Sequence, residues 1–125
     1  MNNSRIKSNL CRLVILSIAL FAVAALSSAR TATTSVNIVN NSNKEIRNVY
    51  LSHVDADDWS NDQLAANSSI AAGQSYNLGD VACDRQQVKV IAEDQDGCFL
   101  STVLTCGSST TWTITNDTAR DCGGN

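Results

Sequence analysis

The sequence has no proline, a single histidine and few aromatic residues, and none of its apolar stretches reaches the roughly 20 residues that a membrane-spanning helix needs. No HExxH, GxSxG or phosphate-loop pattern is present, so the common hydrolase and nucleotide-binding signatures are missing. The histidine, His53, lies far upstream of the cysteines in the second half of the chain, which argues against a mixed Cys/His metal site. These absences disfavour a membrane-anchored protein and most enzyme classes.

The first 29 residues have the three parts of an export signal. Arg5, Lys7 and Arg12 form a positive start, an apolar run of 14 residues follows over Leu13–Leu26, and Ser27-Ser28-Ala29 offers small residues to a signal peptidase. The apolar run is too short to cross a bilayer as a helix. The pattern therefore predicts a signal that is cleaved.

Cleavage after residue 29 leaves a single mature domain over residues 30–125, which we expect to be secreted, periplasmic or otherwise extracellular. Cys11 leaves with the signal. Three of the nine basic residues leave too, so six basic and twelve acidic residues remain and the formal charge changes from −3 to −6. Because the remaining cations are scattered, such a domain repels nucleic acid and anionic lipid. We expect neither partner, and no stable membrane insertion of the mature domain.

The mature part is rich in Thr, Val, Ile, Ser and Asn, which favours strands and turns over helices. Its spacing of apolar runs and turn residues predicts an all-β fold, a small antiparallel β-sandwich of six or seven strands with an Ig-like arrangement. The predicted strands are Thr34–Asn40, Ile46–Val54, a short strand through Tyr76 and Leu78 that ends at Gly79-Asp80, Gln86–Ala92, Cys98–Thr105 and Thr110–Asn116. In the last strand, Trp112 and Ile114 face one way, and Thr111, Thr113 and Thr115 face the other.

The sequence also predicts the structure of two segments outside these strands. Asp55–Leu64 breaks the alternation, and Asp57 or Asp58 is placed to cap a short helical turn from which Trp59 and Leu64 reach back to the core. The tail over residues 117–125 is expected to be loose except where a cysteine holds it.

Four cysteines in a short exported chain predict two disulfides. If the turn between the fourth and fifth strands centres on Gln95 and Asp96, the numbers of paired residues sum to about 191, which brings Cys83 close to Cys106. The same argument for the next hairpin brings Cys98 within a few residues of Cys122. The register therefore predicts the pairs Cys83–Cys106 and Cys98–Cys122.

Carboxylates concentrate in two segments, and calcium prefers several oxygen ligands from a flexible loop. Neither segment matches an EF-hand loop, and a helix cap and a hairpin turn explain the two clusters more simply. A calcium site nevertheless stays a hypothesis, with calcium as the one cofactor considered. Its candidate ligands are Asp55, Asp57, Asp58, Asp62, Asp94 and Asp96.

Aromatic side chains stack on sugar rings, so Tyr50, Trp59, Tyr76 and Trp112 are candidates for a carbohydrate platform. Packing in the core is the simpler role for Trp112. Trp59 lies in a loop beside acids, where recognition residues are common. Three Asn-x-Ser/Thr sequons begin at Asn40, Asn67 and Asn116, and they matter only in a host that glycosylates secreted proteins.

Several short motifs resemble a group of small exported bacterial β-domains of unknown function. In that group a strand is followed by an Asp-Asp-Trp turn and then by a cysteine-flanked hairpin with an acidic tip. The motifs here are Val49-Tyr50-Leu51-Ser52, Asp57-Asp58-Trp59, Asp62-Gln63-Leu64 and Ile70-Ala71-Ala72-Gly73-Gln74-Ser75, within a likeness that covers about residues 36–115. The chain departs from the group at Ser60 and Ala72. The resemblance implies a fold and an export route but no activity.

Three functions are compatible with this sequence. The first is a secreted, disulfide-stabilised, non-catalytic module that binds a protein or a glycan through the loop around Trp59. The second is a calcium-stabilised structural module of the envelope or matrix. The third is a small hydrolase that uses His53 or a pair of carboxylates, which a domain of this size has little room to accommodate. We expect the first, and we do not expect an enzyme.

Overall fold

A computed structural model describes residues 31–124, so the predicted signal over residues 1–29 lies outside the described residues. The described part is all-β, with six strands and no helix. It contains no helix that is long and apolar enough to span a membrane. The strands are β1 (Thr33–Asn41), β2 (Ile46–Ser52), β3 (Ser75–Ala82), β4 (Gln87–Asp94), β5 (Phe99–Thr105) and β6 (Ser109–Thr115).

The strands form two three-stranded sheets, with the orders β3-β1-β6 and β2-β4-β5. Alternate residues of each sheet enter one shared core, as the alternation in the sequence predicts. In β6, Trp112 and Ile114 are buried between exposed threonines, which confirms the predicted orientation of that strand. The protein is therefore a small β-sandwich. Its core includes Val36, Ile38, Val49, Leu78, Val90, Leu100, Trp112 and Ile114.

One strand pair differs from the predicted antiparallel arrangement. The pairs β1–β3, β2–β4 and β4–β5 are antiparallel, whereas β1 and β6 are parallel, with Ile38 opposite Trp112. The turn after β5 carries the chain into the other sheet, where β6 enters beside β1 in the same direction. Alternation of apolar residues is the same in both pairings, so it does not distinguish them.

The third strand is longer than predicted. Gly79 and Asp80 lie inside β3 rather than ending it, since the strand continues to Ala82. The register with β1 shifts at this point, because Thr34 pairs with Val81 while Val36 pairs with Leu78. Asp80 has a positive φ of 53°, a conformation typical of a β-bulge. The turn-like residues thus produce a bulge within the strand.

The segment Asp55–Leu64 is an irregular loop, so the predicted helical turn is wrong. Its backbone groups bond to the edge strand β2 instead of to each other: the Ser60 and Gln63 N–H groups donate to the carbonyls of Leu51 and Val49 at 2.8 and 2.7 Å. The Ser60 hydroxyl oxygen in turn accepts the Leu51 N–H at 2.9 Å. The loop therefore covers a free sheet edge that would otherwise expose unpaired backbone groups.

Two disulfides join Cys83 to Cys106 and Cys98 to Cys122, the pairs that the hairpin register predicts. Residue numbers paired across β4 and β5 sum to 192, as for Ala92 and Leu100, one more than the predicted sum. The bridges span 23 and 24 residues, and closing loops of that length contributes about 3 kcal/mol each in the chain-entropy model.

The tail after β6 is more ordered than predicted. Besides the disulfide to Cys98, Asp121 exchanges two backbone hydrogen bonds with Phe99, at 2.7 and 2.8 Å. These bonds add a short bridge to the outer edge of β5. The tail is therefore fixed to the hairpin at consecutive positions of both segments.

Asn40 is fully buried at the end of β1 and joins two loops. Its side-chain amide donates to the carbonyls of Lys44 and Ile70 at 2.8 and 2.9 Å, and its Oδ1 accepts from the backbone N–H and the hydroxyl of Ser42. The amide thus uses both its donor and its acceptor atoms. Burial leaves this sequon asparagine inaccessible, whereas Asn67 and Asn116 are exposed.

We predict that Asn40→Asp lowers the free energy of unfolding by about 3 kcal/mol or more, because it buries a charge opposite two carbonyl oxygens. Asn41→Asp is the matched control, since Asn41 is the next residue of the same strand and is exposed. Urea denaturation of both variants measures the difference. Equal stability of the two variants would contradict the role given to the Asn40 amide.

Candidate functional site

The acidic residues of the β2–β3 loop mostly serve local structure. Asp62 accepts the N–H groups of Val49 and Leu64 at 2.9 and 3.1 Å and the side-chain amide of Asn48 at 2.8 Å. Partial burial by itself would raise the pKa of Asp62, but these hydrogen bonds outweigh it and hold the pKa below the usual value. Asp62 is therefore an ionised cap on the edge of β2.

Asp58 belongs to a separate group. Its Oδ1 accepts the backbone N–H of His53 and lies 3.0 Å from the Ser52 hydroxyl oxygen, and its other oxygen contacts Nδ1 of His53. Asp57 lies 3.8 Å from the ammonium of Lys89, and both Asp57 and Asp55 are exposed. The predicted ligands of this loop thus face different partners.

The acids of the β4–β5 turn have a different environment. Asp94 is only 2% exposed; its Oδ1 accepts the backbone N–H groups of Asp96 and Cys98, and its Oδ2 accepts from Nε and Nη2 of Arg120. Asp96 is half exposed and pairs with Lys44 and Arg120. Hydrogen bonding to Lys44 is the main cause that lowers the pKa of Asp96. Both acids are therefore paired with cations.

The structure does not gather the six candidate calcium ligands in one place. Among residues 31–124, no group of three or more His, Cys, Asp or Glu side chains is arranged to hold a metal ion. Asp58, Asp62, Asp94 and Asp96 already satisfy backbone donors or cations, so a calcium ion would have to compete with those bonds. This geometry gives the calcium hypothesis no support.

His53 is the residue on which a hydrolase would depend. It lines a cavity of about 210 Å³ with Asp58 and Ser60, and the Asp58 carboxylate orients the ring. The Ser60 hydroxyl donates to the carbonyl of Asn61 at 2.8 Å, and the buried Ser52 hydroxyl donates to that of Ala56 at 2.7 Å. Within the described residues, neither hydroxyl bonds to the imidazole, so the geometry provides an Asp–His pair without an activated nucleophile.

An aromatic cluster lies on the outer face of the sheet β2-β4-β5. The ring centroid of Trp59 is 5.5 Å from that of Tyr50 and 5.2 Å from that of Phe99. Trp59 stays 41% exposed, whereas Trp112 is 7% exposed in the core. Tyr76 lies on the other sheet, where its hydroxyl accepts the Ala65 N–H. The predicted four-residue platform is thus reduced to Tyr50 and Trp59, joined by Phe99.

A groove of about 200 Å³ runs beside Trp59 on this face. Trp59 and Phe99 form walls of the groove, and Ile91 and Ser101 also line it, as cross-strand partners in neighbouring strands. Lys89 and Asp121 complete the lining. The groove therefore combines aromatic surface with a cation, a carboxylate and a hydroxyl. We call these six residues the Trp59 groove.

Tyr50 supports the cluster from the neighbouring strand. Its hydroxyl lies 3.3 Å from a carboxylate oxygen of Glu93, within donating distance. Burial and then the charge of Glu93 raise the pKa of Tyr50 above its usual value, so the hydroxyl stays protonated at neutral pH.

The sequence pattern indicates Trp59 as a candidate binding residue but does not indicate the other residues of the groove. Ile91 is one residue that could have indicated the groove. It lies on the same face of β4 as Lys89 and Glu93, which point outward, yet it is 1% exposed. An apolar residue among outward-facing charges indicates that another segment covers the sheet at that point. The role of Asp121 depends on the tail bridge, which no local pattern predicts.

No protein-family model matches the chain, and no curated protein matches it. An NMR structure of a protein from Eubacterium rectale aligns with it at 16% identity and a TM-score of 0.49, over 75% of this chain and 89% of that one. A likeness this distant carries no inference about activity.

We predict that millimolar calcium and a chelator leave the melting temperature of the oxidised mature domain unchanged, because the candidate carboxylates are already paired or capped. Thermal unfolding followed by circular dichroism measures this. A calcium-dependent rise of several degrees would show that the acidic loops bind the ion and would contradict the prediction.

The His53–Asp58 pair predicts a specific pH dependence. Hydrogen bonding to Asp58 raises the pKa of His53 above 6.5, and hydrogen bonding to His53 lowers the pKa of Asp58 from 3.8 to about 2. Stabilisation by the pair is therefore present from about pH 4 to pH 6.5. It is lost as pH rises through the raised pKa of His53, and as pH falls towards 2.

In an NMR titration, Asp58→Asn should return the His53 midpoint towards 6.5, and Asp57→Asn should leave it raised. The control removes the same charge at the adjacent exposed position. A midpoint that stays raised in Asp58→Asn would contradict the pairing.

Proposed function

We propose that this chain is an exported, non-catalytic glycan-binding module that binds a sugar ring in the Trp59 groove. The observation that carries the proposal is an exposed tryptophan at a groove over a buried apolar residue, Ile91, with polar side chains around it. Aromatic rings stack on the apolar faces of pyranose rings, while hydroxyls, carboxylates and ammonium groups bond to the sugar hydroxyls.

The size of the groove favours a glycan over a protein. A stable protein interface buries about 800 Å² on each partner, which is many more side chains than this cluster exposes. A groove of about 200 Å³ with one exposed tryptophan suits a single ring of a larger polymer.

Rigidity supports the same function. Phe99 and Asp121 are held together by two backbone hydrogen bonds, and the neighbouring residues Cys98 and Cys122 form a disulfide. On the other side, the loop that carries Trp59 is bonded to β2. Both walls are therefore ordered before a ligand arrives, which lowers the entropic cost of binding.

The predicted export signal and the two disulfides support a location outside the cytoplasm, where glycans of cell surfaces and matrices occur. The acidic net charge suits a neutral or basic polysaccharide better than an anionic one, and it disfavours nucleic acid.

The test uses the oxidised mature domain on soluble polymers of glucose, mannose, xylose and N-acetylglucosamine, by affinity electrophoresis. We expect retention on at least one polymer. Trp59→Ala should weaken that binding about 30-fold, equivalent to about 2 kcal/mol, and Trp59→Phe should restore part of it. The ligand should also protect Trp59 from acrylamide quenching. Trp112 is already buried, so a decrease in quenching can be assigned to Trp59.

Val103→Ala is the matched control, since Val103 is another exposed apolar residue on the same sheet and does not line the groove. Its affinity should equal that of the unmodified domain. Absence of binding to every polymer, or equal loss in Trp59→Ala and Val103→Ala, would reject the proposal.

A further inference from the structure

A cleft of about 280 Å³ opens at one end of the sandwich between the two sheets. Ile46 and Leu100 from one sheet and Ile114 from the other line its apolar part, and all three belong to the buried core. Lys44 and Arg120 also line it and bring two cations to one opening. The cleft therefore joins an apolar floor to a pair of positive charges.

The two cations converge on one carboxylate. Nζ of Lys44 lies 2.6 Å and Nη2 of Arg120 lies 3.1 Å from the same oxygen of Asp96. Arg120 is fixed from below by Asp94, whose Oδ2 lies 2.8 Å from Nε and 2.7 Å from Nη2. The side chain of Asp96 is half exposed at the tip of the β4–β5 turn. Of the two carboxylates that contact these cations, Asp96 is thus the one that another carboxylate can displace.

We propose that this cleft binds small carboxylates, which displace the Asp96 side chain from Lys44 and Arg120. If Asp96 turns to solvent, Lys44 and Arg120 face Asp94 alone, and the site carries one uncompensated positive charge. A carboxylate restores the two charge-assisted hydrogen bonds, and a short aliphatic chain on it reaches the apolar floor. The site is separate from the Trp59 groove and does not depend on the glycan proposal.

The exchange requires little movement of the backbone. The N–H group of Asp96 donates to Oδ1 of Asp94 at 2.9 Å, and that bond does not involve the Asp96 side chain. The turn also keeps the bond from Gly97 N–H to the Asp94 carbonyl at 3.0 Å. Rotation of the Asp96 side chain is therefore sufficient to vacate the two cations.

The experiment titrates butyrate into the oxidised mature domain and its variants and follows amide shifts in ¹H–¹⁵N NMR spectra. A second arm uses the tripeptide Ala-Ala-Leu with a free or an amidated C-terminus, which separates a free small acid from the end of a peptide. We expect butyrate to shift the amides of Leu100 and Ile114. If the Asp96 side chain contacts Lys44 and Arg120 about nine-tenths of the time, Asp96→Asn tightens butyrate binding about tenfold.

Two controls make the result specific. Asp84→Asn removes the same charge from an exposed position elsewhere and should leave the affinity unchanged. Lys44→Gln removes one cation, leaves the Arg120–Asp94 pair in place, and should abolish the shifts. Any of three results would overturn the proposal. The first is equal affinity in Asp96→Asn and Asp84→Asn, and the second is amide shifts that persist in Lys44→Gln. The third is no shift in Asp96→Asn with either butyrate or the free tripeptide.

Discussion

The pair between Asp94 and Arg120 connects the β4–β5 hairpin to the tail of the domain. Asp94 ends β4, closes the turn into β5 by accepting two backbone N–H groups, and binds the guanidinium of a residue from the tail. Breaking a buried pair by removing one partner leaves an uncompensated charge, which costs several kcal/mol. The hairpin, the tail and the cleft between the sheets therefore depend on one carboxylate that is nearly inaccessible to water.

The tail gives consecutive residues to two different surfaces. Arg120 faces the cleft at the end of the sandwich, whereas Asp121 lines the Trp59 groove on the outer face. The disulfide at Cys122 fixes the segment next to both. A short, disulfide-held strand bridge thus builds part of each candidate site, although its sequence contains neither a strand pattern nor a recognition motif.

Charge is distributed unequally between the two sheets. The strands of β3-β1-β6 contain one charged residue, Asp80, whereas β2 and β4 carry Arg47, Lys89, Glu93 and Asp94. Ion pairs among the described residues likewise lie on the second sheet, its turns and the tail. Both candidate sites include residues of that sheet. The sheet β3-β1-β6 contributes mainly core packing and the parallel strand pair.

Local rules predicted the strands and the disulfides because alternation and turn position determine which residues face each other. They failed where contacts between segments distant in sequence determine the local backbone conformation. The turn residues Gly79 and Asp80 form a bulge because β1 continues alongside them. The loop around Trp59 is not helical because β2 offers unpaired backbone groups to it. Trp59 was accessible to sequence reasoning as a single residue, but its groove combines three segments that are distant in sequence.

The parallel pairing of β1 with β6 also determines the order in which the domain can assemble. The β4–β5 hairpin joins neighbouring segments, so its loop-closure entropy is small, whereas β1 must wait for the last strand of the domain. Until β6 is synthesised, Val36 and Ile38 lack the cover of Trp112 and Ile114, and one edge of β1 has no neighbour. Of the six described strands, β1 is synthesised before the others and is among the last to be protected from aggregation.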